Sequence, residues 1–333
     1  MRRAVGPFRV QPIGLGCMNL DHGYGPAVSA EQGERVLLGA LDAGYDFFDT
    51  ATLYGGGRNE ERVGAVLARH RNRFTLASKC GLAIVPVDGK PTRVIDGRPD
   101  TLRRQCEDSL RRLKTEVIDL YYLHRLDRKV PIEDSVGEMS RMVERGHVRA
   151  LGLSEMSATT LRRAHAVHPI AAMQTEYSLW SRNAEIAVLQ ACRELGTAFV
   201  AFSPVARGFL CGTVTDVNAL DAKDMRRGMP RFKPEHFPAN LALLVPFRAL
   251  ANELGCTPAQ LALAWLLHKT PHIVAIPGTT SEPHVRDNAA AADVVLDDTA
   301  MARLEAMINQ QTVSGPRYDV QAAADVDTEN FAA

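Results

Sequence analysis

Short apolar runs alternate with longer stretches in which apolar residues recur three and four positions apart, almost from end to end of the chain. Ile13–Cys17, Asp46–Asp49, Phe74–Lys79, Ile118–Leu123, Val148–Leu153, Ala171–Gln174, Ala198–Phe202 and Ile273–Ile276 have the length and composition of buried strands. Between them lie helical patterns. Ser29 caps the first, with Val36, Leu37, Ala40 and Leu41 on one face. Others span Asn59–Ala68, Asp100–Leu113, Ile132–Glu144, a stretch from Ser157 to His168, and Ala184–Leu195, which Gly196 stops. Thr257–His268 carries Pro258 in its first turn, and two further helices follow near Glu282–Ala291 and Asp298–Asn309. Phe8–Val10 reads as part of a small hairpin capping one end. This alternation predicts an α/β fold, a (β/α)8 TIM barrel with an N-terminal hairpin and extra C-terminal helices, as one domain over residues 1–333. A doubly wound sheet would need a glycine-rich fingerprint after an early strand. Gly14-Leu15-Gly16-Cys17-Met18-Asn19 lacks its third glycine, and Gly55-Gly56-Gly57 does not directly follow a strand. Thr213–Ala239, with Gly228, Pro230, Pro234 and Pro238, reads as a long surface excursion of the kind that covers sites. From Gly315 the polar, small-residue tail is expected to be partly disordered.

Three of the predicted strands end on or just before an ionisable residue. Asp49 closes the second, Lys79 the third, and His124 follows the fourth, while Tyr54 lies one short turn beyond Asp49. In a barrel these positions share the C-terminal face, where active sites are built. The four groups make a coherent set. A phenol beside an ammonium can donate a proton, a carboxylate can hold the ammonium, and an imidazole can orient a substrate oxygen. A free phenol has a pKa of about 10, and a cation at Lys79 is expected to lower that of Tyr54.

Charge narrows the partners. Lys plus Arg and Asp plus Glu both number 39, so the formal net charge is zero, which argues against nucleic acid. The first residues lack the apolar run of a signal peptide, and no stretch approaches the roughly 18 apolar residues of a membrane span. Six scattered cysteines without a C-x-x-C pair read as reduced thiols in a cytoplasmic protein, with no metal site expected.

The segments Gly44-Tyr45-Asp46-Phe47-Phe48-Asp49-Thr50-Ala51-Thr52-Leu53-Tyr54-Gly55 and Ile118-Asp119-Leu120-Tyr121-Tyr122-Leu123-His124 resemble the aldo-keto reductase superfamily. So do Gly152-Leu153-Ser154-Glu155, Gln174-Thr175-Glu176-Tyr177-Ser178-Leu179 and Ile276-Pro277-Gly278-Thr279-Thr280. The likeness extends to about Asn309 and is greatest to the microbial and plant-type barrel oxidoreductases with a Tyr177-Ser178-Leu179-Trp180 signature. It implies Tyr54 as general acid, Lys79 and Asp49 as its supporting pair, and His124 as the group that places the carbonyl oxygen. It also implies Ser154 and Gln174 at the nicotinamide carboxamide, with Tyr177 a weaker candidate. Ser203, Pro204 and Gly208 correspond to the loop under the pyrophosphate. Gly278, Thr279, Thr280 and Ser281 correspond to the loop holding the adenosine phosphate, with Asn288 at the adenine. Many relatives carry lysine at the place of Gly278 and arginine at that of His284. This chain lacks both cations, which weakens strict NADPH specificity, but NADPH is still expected over NADH, gripped by hydroxyls and backbone with His284 as a partial cation, while Arg286 is a further cation nearby.

Loops after the strands should wall the substrate pocket. Met18, His22, Tyr24, Leu82, Arg125, Trp180, Arg207, Phe209 and Phe232 are the candidates, and Arg125 and Arg207 suit an anionic or polar substrate group. The expected activity is reduction of a small aldehyde or ketone. The competing reading is a cofactor-binding regulatory or sensor protein of the same fold, since some members of the superfamily serve as channel subunits. A metal-assisted hydrolase is disfavoured by the lack of a His/Asp ligand cluster.

Overall fold

Eight parallel strands curl into a closed barrel in the computed structural model, which describes residues 1–331. A hairpin of β1 (Arg3–Val5) and β2 (Phe8–Val10) precedes it. The barrel strands are β3 (Leu15–Gly16), β4 (Phe47–Asp49), β5 (Thr75–Cys80), β8 (Ile118–Leu123), β9 (Val148–Ser154), β10 (Ile170–Glu176), β11 (Ala198–Phe202) and β12 (Ile273–Ala275). A second hairpin, β6 (Leu82–Val87) with β7 (Lys90–Ile95), projects after β5. The helices are α1 (Ala30–Asp42), α2 (Arg58–Leu67), α3 (Pro99–Leu113), α4 (Ile132–Glu144), α5 (Ala158–Val167), α6 (Val188–Leu195), α7 (Phe237–Glu253), α8 (Pro258–Lys269), α9 (Glu282–Ala290), α10 (Asp298–Met307) and α11 (Val320–Ala324).

The barrel closes where β12 meets β3. Ile13 bridges Ala275 and Gly16 bridges Gly278, both in parallel, with Gly14 N–H donating to the Ala275 carbonyl at 2.9 Å. Alternation along each strand sorts side chains into two layers. Phe47, Ala77, Leu120, Tyr122, Ala172, Val200 and Val274 fill the interior, and Val5 and Val10 of the first hairpin plug its floor. Their neighbours Phe48, Leu76, Tyr121, Met173 and Phe199 point outward into the much larger layer under the helices. The plug is anchored by Arg3, which donates to the Leu267 carbonyl at 2.6 Å and the Thr270 carbonyl at 3.0 Å, at the C-terminus of α8. The polar ends of β4, β5, β8, β9 and β10 are thereby left at the opposite mouth.

Four features differ from the sequence pattern. The long excursion ends earlier than Ala239, because α7 begins at Phe237 with Pro238 in its first turn and runs on through Pro246. The β6–β7 hairpin turns at Asp88-Gly89, both at positive φ, the backbone that a two-residue turn requires. The sixth predicted helix is a short 3-10 turn at Asn183–Glu185 followed by α6, with the helix broken at Ala187 by its non-helical backbone (φ -152°, ψ -39°). The tail from Gly315, where composition suggested partial disorder, carries α11. Asp327 accepts from Thr160 Oγ1 at 2.6 Å and from Ser157 Oγ at 3.0 Å, and Asp325 pairs with Arg93 at 2.8 Å. No helix among the described residues is long and apolar enough to cross a membrane.

The closing seam should be intolerant of any side chain at Gly16, where a Cβ would stand 2.8 Å from the Ile276 carbonyl oxygen. Gly16→Ala should cost about 1–3 kcal/mol in urea unfolding. Gly137→Ala, mid-helix in α4 with open space at its Cβ, should instead gain up to about 1 kcal/mol. Equal effects of the two would contradict the seam assignment.

Candidate active site

Lys79 is fully buried at the end of β5, and its ammonium has three protons to place. Asp49 Oδ1 takes one in a short ion pair, the Thr50 carbonyl takes another at 2.8 Å, and the Tyr54 hydroxyl oxygen takes the third at 3.1 Å. Parallel pairing of β4 and β5, with Asp49 opposite Ala77, brings the carboxylate to the lysine. The chain then turns through Thr52–Leu53, and a glycine-rich turn at Tyr54–Gly57 returns the phenol over Lys79, whose nitrogen is 4.8 Å from the ring centre. Gly55 and Gly56 hold positive φ in that turn. Asp49 uses its second oxygen to accept from Gln174 Nε2 at 2.7 Å, across the barrel from β10.

Because the Tyr54 oxygen accepts from Lys79, its own hydrogen is free to point into the cavity. His124 stands on the other side of the phenol, ring to ring edge-on at 6.0 Å, and His22 stacks at 6.1 Å. His124 is held by its backbone N–H on the Cys80 carbonyl, and its Nδ1 has no hydrogen-bond partner.

Burial governs the protonation states. It raises the Tyr54 pKa above the ordinary phenol value, an effect the Lys79 charge opposes and Asp49 reinforces. The expectation that Lys79 lowers the phenol outright is therefore corrected: desolvation exceeds the cation's pull, and Tyr54 keeps its proton. Burial also works against the Lys79 charge, but Asp49 and Tyr54 together outweigh it, so the ammonium persists. Burial pushes Asp49 upward, with Lys79 and Gln174 holding it back. His124 lies well below the ordinary histidine value through burial, then the nearby Arg125 and Lys79 charges. The site therefore presents a neutral phenol, a neutral imidazole and a paired ammonium.

All four groups are at one cavity of about 810 Å³, with Asp49, Tyr54 and His124 on its surface and Lys79 behind them. The cavity also takes in Ser154, Gln174, Ser203, Pro204, Gly208, Gly278, Thr279, Thr280, His284 and Asn288, so the residues of six strand ends converge. Ser203, Ala206 and Arg207 all adopt positive φ in the loop after β11, an unusual backbone for such residues at a functional rim. Gly278 is required by the seam, since a Cβ there would lie 2.5 Å from Asn19 Oδ1 and 3.0 Å from the Gly16 carbonyl. Ser281 is outside the cavity surface, its N–H tied to Thr279 Oγ1 at 3.0 Å. Arg286 turns to Glu282 and away from the cavity. Tyr177 is buried against Phe199 and Trp265 and donates to Glu185.

The substrate candidates divide. Met18, His22, Tyr24, Arg125 and Arg207 line the cavity. Trp180 does not: its ring is buried, stacked 4.2 Å from Phe209 and edge-on to Phe232, so all three belong to packing beneath the loop. Leu82 likewise packs behind Leu53 and Tyr54. Arg207 is already paired with Glu176 at 2.6 Å. Sequence reasoning missed Arg93 and Ile84 from the second hairpin, and Tyr318, Ala322 and Val326 from the tail, which complete the wall. The Asp88-Gly89 turn between β-branched runs was the available signal for the hairpin; nothing local marks the tail. No cluster of three or more potential metal ligands occurs among the described residues.

The family model described as the Aldo/keto reductase family matches residues 12–309. Probable aldo-keto reductase 1 of Glycine max is 40% identical over 312 residues, covering 93% of this chain and 89% of its own. A glycerol dehydrogenase from Gluconobacter oxydans superposes with a TM-score of 0.84 at 29% identity, over 92% of this chain and 94% of that one. An aldo-keto reductase from Klebsiella pneumoniae, crystallised in complex with NADPH, gives a TM-score of 0.72 at 29% identity, over 96% of this chain and 99% of its own.

The depressed pKa of His124 carries a stability consequence. The unfolded chain takes up a proton near the free-histidine value of about 6.5 while the folded chain does not. Stability contributed by the neutral ring is thus full above that pH and is lost as pH falls from there toward the folded pKa. Urea unfolding from pH 7 downward should therefore show a shallower acid loss in His124→Gln than in the wild type. A parallel pair of curves would mean that His124 titrates normally.

Proposed function

The chain belongs to the aldo/keto reductase family and is an NAD(P)H-dependent oxidoreductase, and from that premise we propose that it reduces aldehydes or ketones to alcohols with NADPH, using Tyr54 as the general acid. The observation that carries this reading is the saturation of Lys79 by Asp49, Thr50 and Tyr54, which turns the phenolic proton toward the cavity.

The cavity residues suit a dinucleotide. Gln174 spends its amide N–H on Asp49 and keeps its carbonyl oxygen, which with the Ser154 hydroxyl suits a carboxamide. The left-handed backbone at Ser203 and again at Ala206, Arg207 and Gly208 forms a concave rim suited to a pyrophosphate. Thr279, Thr280, His284 and Asn288 would receive the adenosine end, and Gln32 steadies that loop by donating to the Thr280 carbonyl at 2.9 Å. When bound, the nicotinamide supplies a hydride to the carbonyl carbon.

The chain's own residues do the remainder. His124, neutral, donates its N–H to the carbonyl oxygen and sets it beside Tyr54. As negative charge grows on that oxygen, the Tyr54 proton passes to it, leaving an alcohol and a phenolate. The Lys79 ammonium is already in contact with the phenol oxygen and stabilises the charge arriving there, in a water-poor site where such stabilisation is large. Asp49 keeps the ammonium charged and in place. Tyr24 is held at the rim by pairing with Asp224 and by Arg226, 5.0 Å above its ring, and suits a contact with the substrate.

Tyr54→Phe should lower kcat for aldehydes by about a hundredfold or more, while cofactor binding measured by fluorescence titration stays close to wild type. Retention of more than about a tenth of turnover would remove Tyr54 from the role of acid.

NADPH should bind more tightly than NADH, but by a modest margin. Hydroxyls and backbone at Thr279 and Thr280 replace full charges, and charge-assisted hydrogen bonds are roughly twice as strong as neutral ones. Asp287 also lines this end and works against a phosphate. Dissociation constants for both cofactors, in wild type and in His284→Ala, measure this. His284→Ala should narrow the margin, and equal or tighter NADH binding in the wild type would overturn the preference.

A further inference from the structure

Four arginines reach the cavity, and three of them are spoken for. Arg93 pairs with Asp325 at 2.8 Å, Arg207 with Glu176 at 2.6 Å and Arg226 with Asp224 at 2.6 Å. Arg125 has no carboxylate partner among the described residues. Its Nη1 donates to the His124 carbonyl at 2.6 Å and lies 3.3 Å from Ser154 Oγ, both neutral acceptors. Its Nε is buried without any partner. A guanidinium cannot escape this by losing its proton, so a charge that is half removed from water stands uncompensated, a costly arrangement unless an anion arrives.

The position of Arg125 decides which anion. It follows β8, the fourth strand around the ring, whereas the loops suited to pyrophosphate and adenosine phosphate follow β11 and β12, the seventh and eighth. The fourth and eighth strands of an eight-stranded ring face each other across it. The cofactor's phosphates are thus expected on the far side, and Arg125 stands beside His124 at the reacting end. Arg93, from the second hairpin, is near enough that the Arg125 charge depresses its pKa, after burial. The same end offers apolar wall at Met18, Leu53 and Ile84.

We infer that Arg125 anchors an anionic group of the substrate, and that this chain acts on carbonyl compounds bearing a carboxylate. The planar fork of Arg125 matches a carboxylate with two parallel hydrogen bonds, and the anchored acid lays its carbonyl against Tyr54 and His124. This rests on the reductase reading above.

The test compares each acid with its uncharged ester: pyruvate against methyl pyruvate, and succinic semialdehyde against its methyl ester. Nicotinamide oxidation is followed with wild type, Arg125→Gln and Arg125→Lys. In wild type at least one acid should exceed its ester by about tenfold or more in kcat/KM, the size of a charged hydrogen bond. Arg125→Gln should bring that ratio to within about twofold, chiefly through a higher KM for the acid, and Arg125→Lys should restore part of it, lacking only the fork. The ratio is internal to each variant, so partial loss of folded protein does not disturb it. Esters turned over as well as acids by wild type, or an acid preference that survives Arg125→Gln, would overturn the anchor and leave the reductase standing. A cofactor dissociation constant weakened more than about fivefold in Arg125→Gln, about 1 kcal/mol, would reassign the residue to the cofactor and equally overturn it. No oxidation with any acid, ester or simple aldehyde would overturn the reductase reading along with it.

Discussion

A lysine with no exposed surface sits at the mouth of the barrel, and the placing of its three protons constrains everything around it. Lys79 can stay charged there only with a carboxylate in contact, so Asp49 must end β4 beside β5. The Thr50 carbonyl must then turn inward, and the chain must return within a few residues to lay Tyr54 over the ammonium. Removing one partner of a buried pair typically costs about 3–5 kcal/mol, so the geometry of the candidate site and the stability of this end of the barrel are one problem. Gln174 extends the constraint across the interior from β10, because the second oxygen of Asp49 also needs a donor.

The same burial changes what the lysine does. In water a neighbouring cation would draw the phenol toward ionisation before any reaction. Here desolvation has the larger effect and the resting phenol stays protonated. In the proposed reaction the ammonium would therefore act mainly on the charge that develops as the proton leaves. Its contact with the phenol oxygen is preorganised, and no rearrangement is needed when that charge appears.

Those constraints explain what could be read from the chain. The strand ends and the turn from Asp49 to Tyr54 are local patterns, set by alternation and by glycine, and Ile118–Leu123, Ala198–Phe202 and Ile132–Glu144 coincide with the observed elements residue for residue. Helix α7 was hidden because Pro238 and Pro246 resemble loop signals; the first fits an N-terminal turn, where no N–H is needed, and the second sits inside the helix. Trp180 carried a family-like signature, yet whether an aromatic ring faces a cavity or packs beneath one depends on Phe209 and Phe232, which are distant in sequence. The balance of burial against charge at Tyr54 is likewise a property of the assembled site.

The tail shows the same dependence on distant partners. Glu155 directly follows β9, which ends on Ser154, and Glu176 is the last residue of β10, which carries Gln174; both are buried. Left alone, two carboxylates at this edge would repel each other and any phosphate nearby. Arg207 pairs with Glu176 from the loop after β11, and Arg317 reaches in from the tail to contact both. Burial pushes Glu176 upward, but Arg207 and Arg317 outweigh it and hold its pKa down to about 2. Tyr318 adds its hydroxyl at 3.2 Å from Glu176 and presents its ring to the cavity. A segment that resembles a polar tail in one dimension is, in three, the counter-charge for the rim of the site. The acids it neutralises lie at the ends of strands whose motifs are plain in the sequence, while the tail residues that reach them, Arg317 and Tyr318, lie well over a hundred positions away.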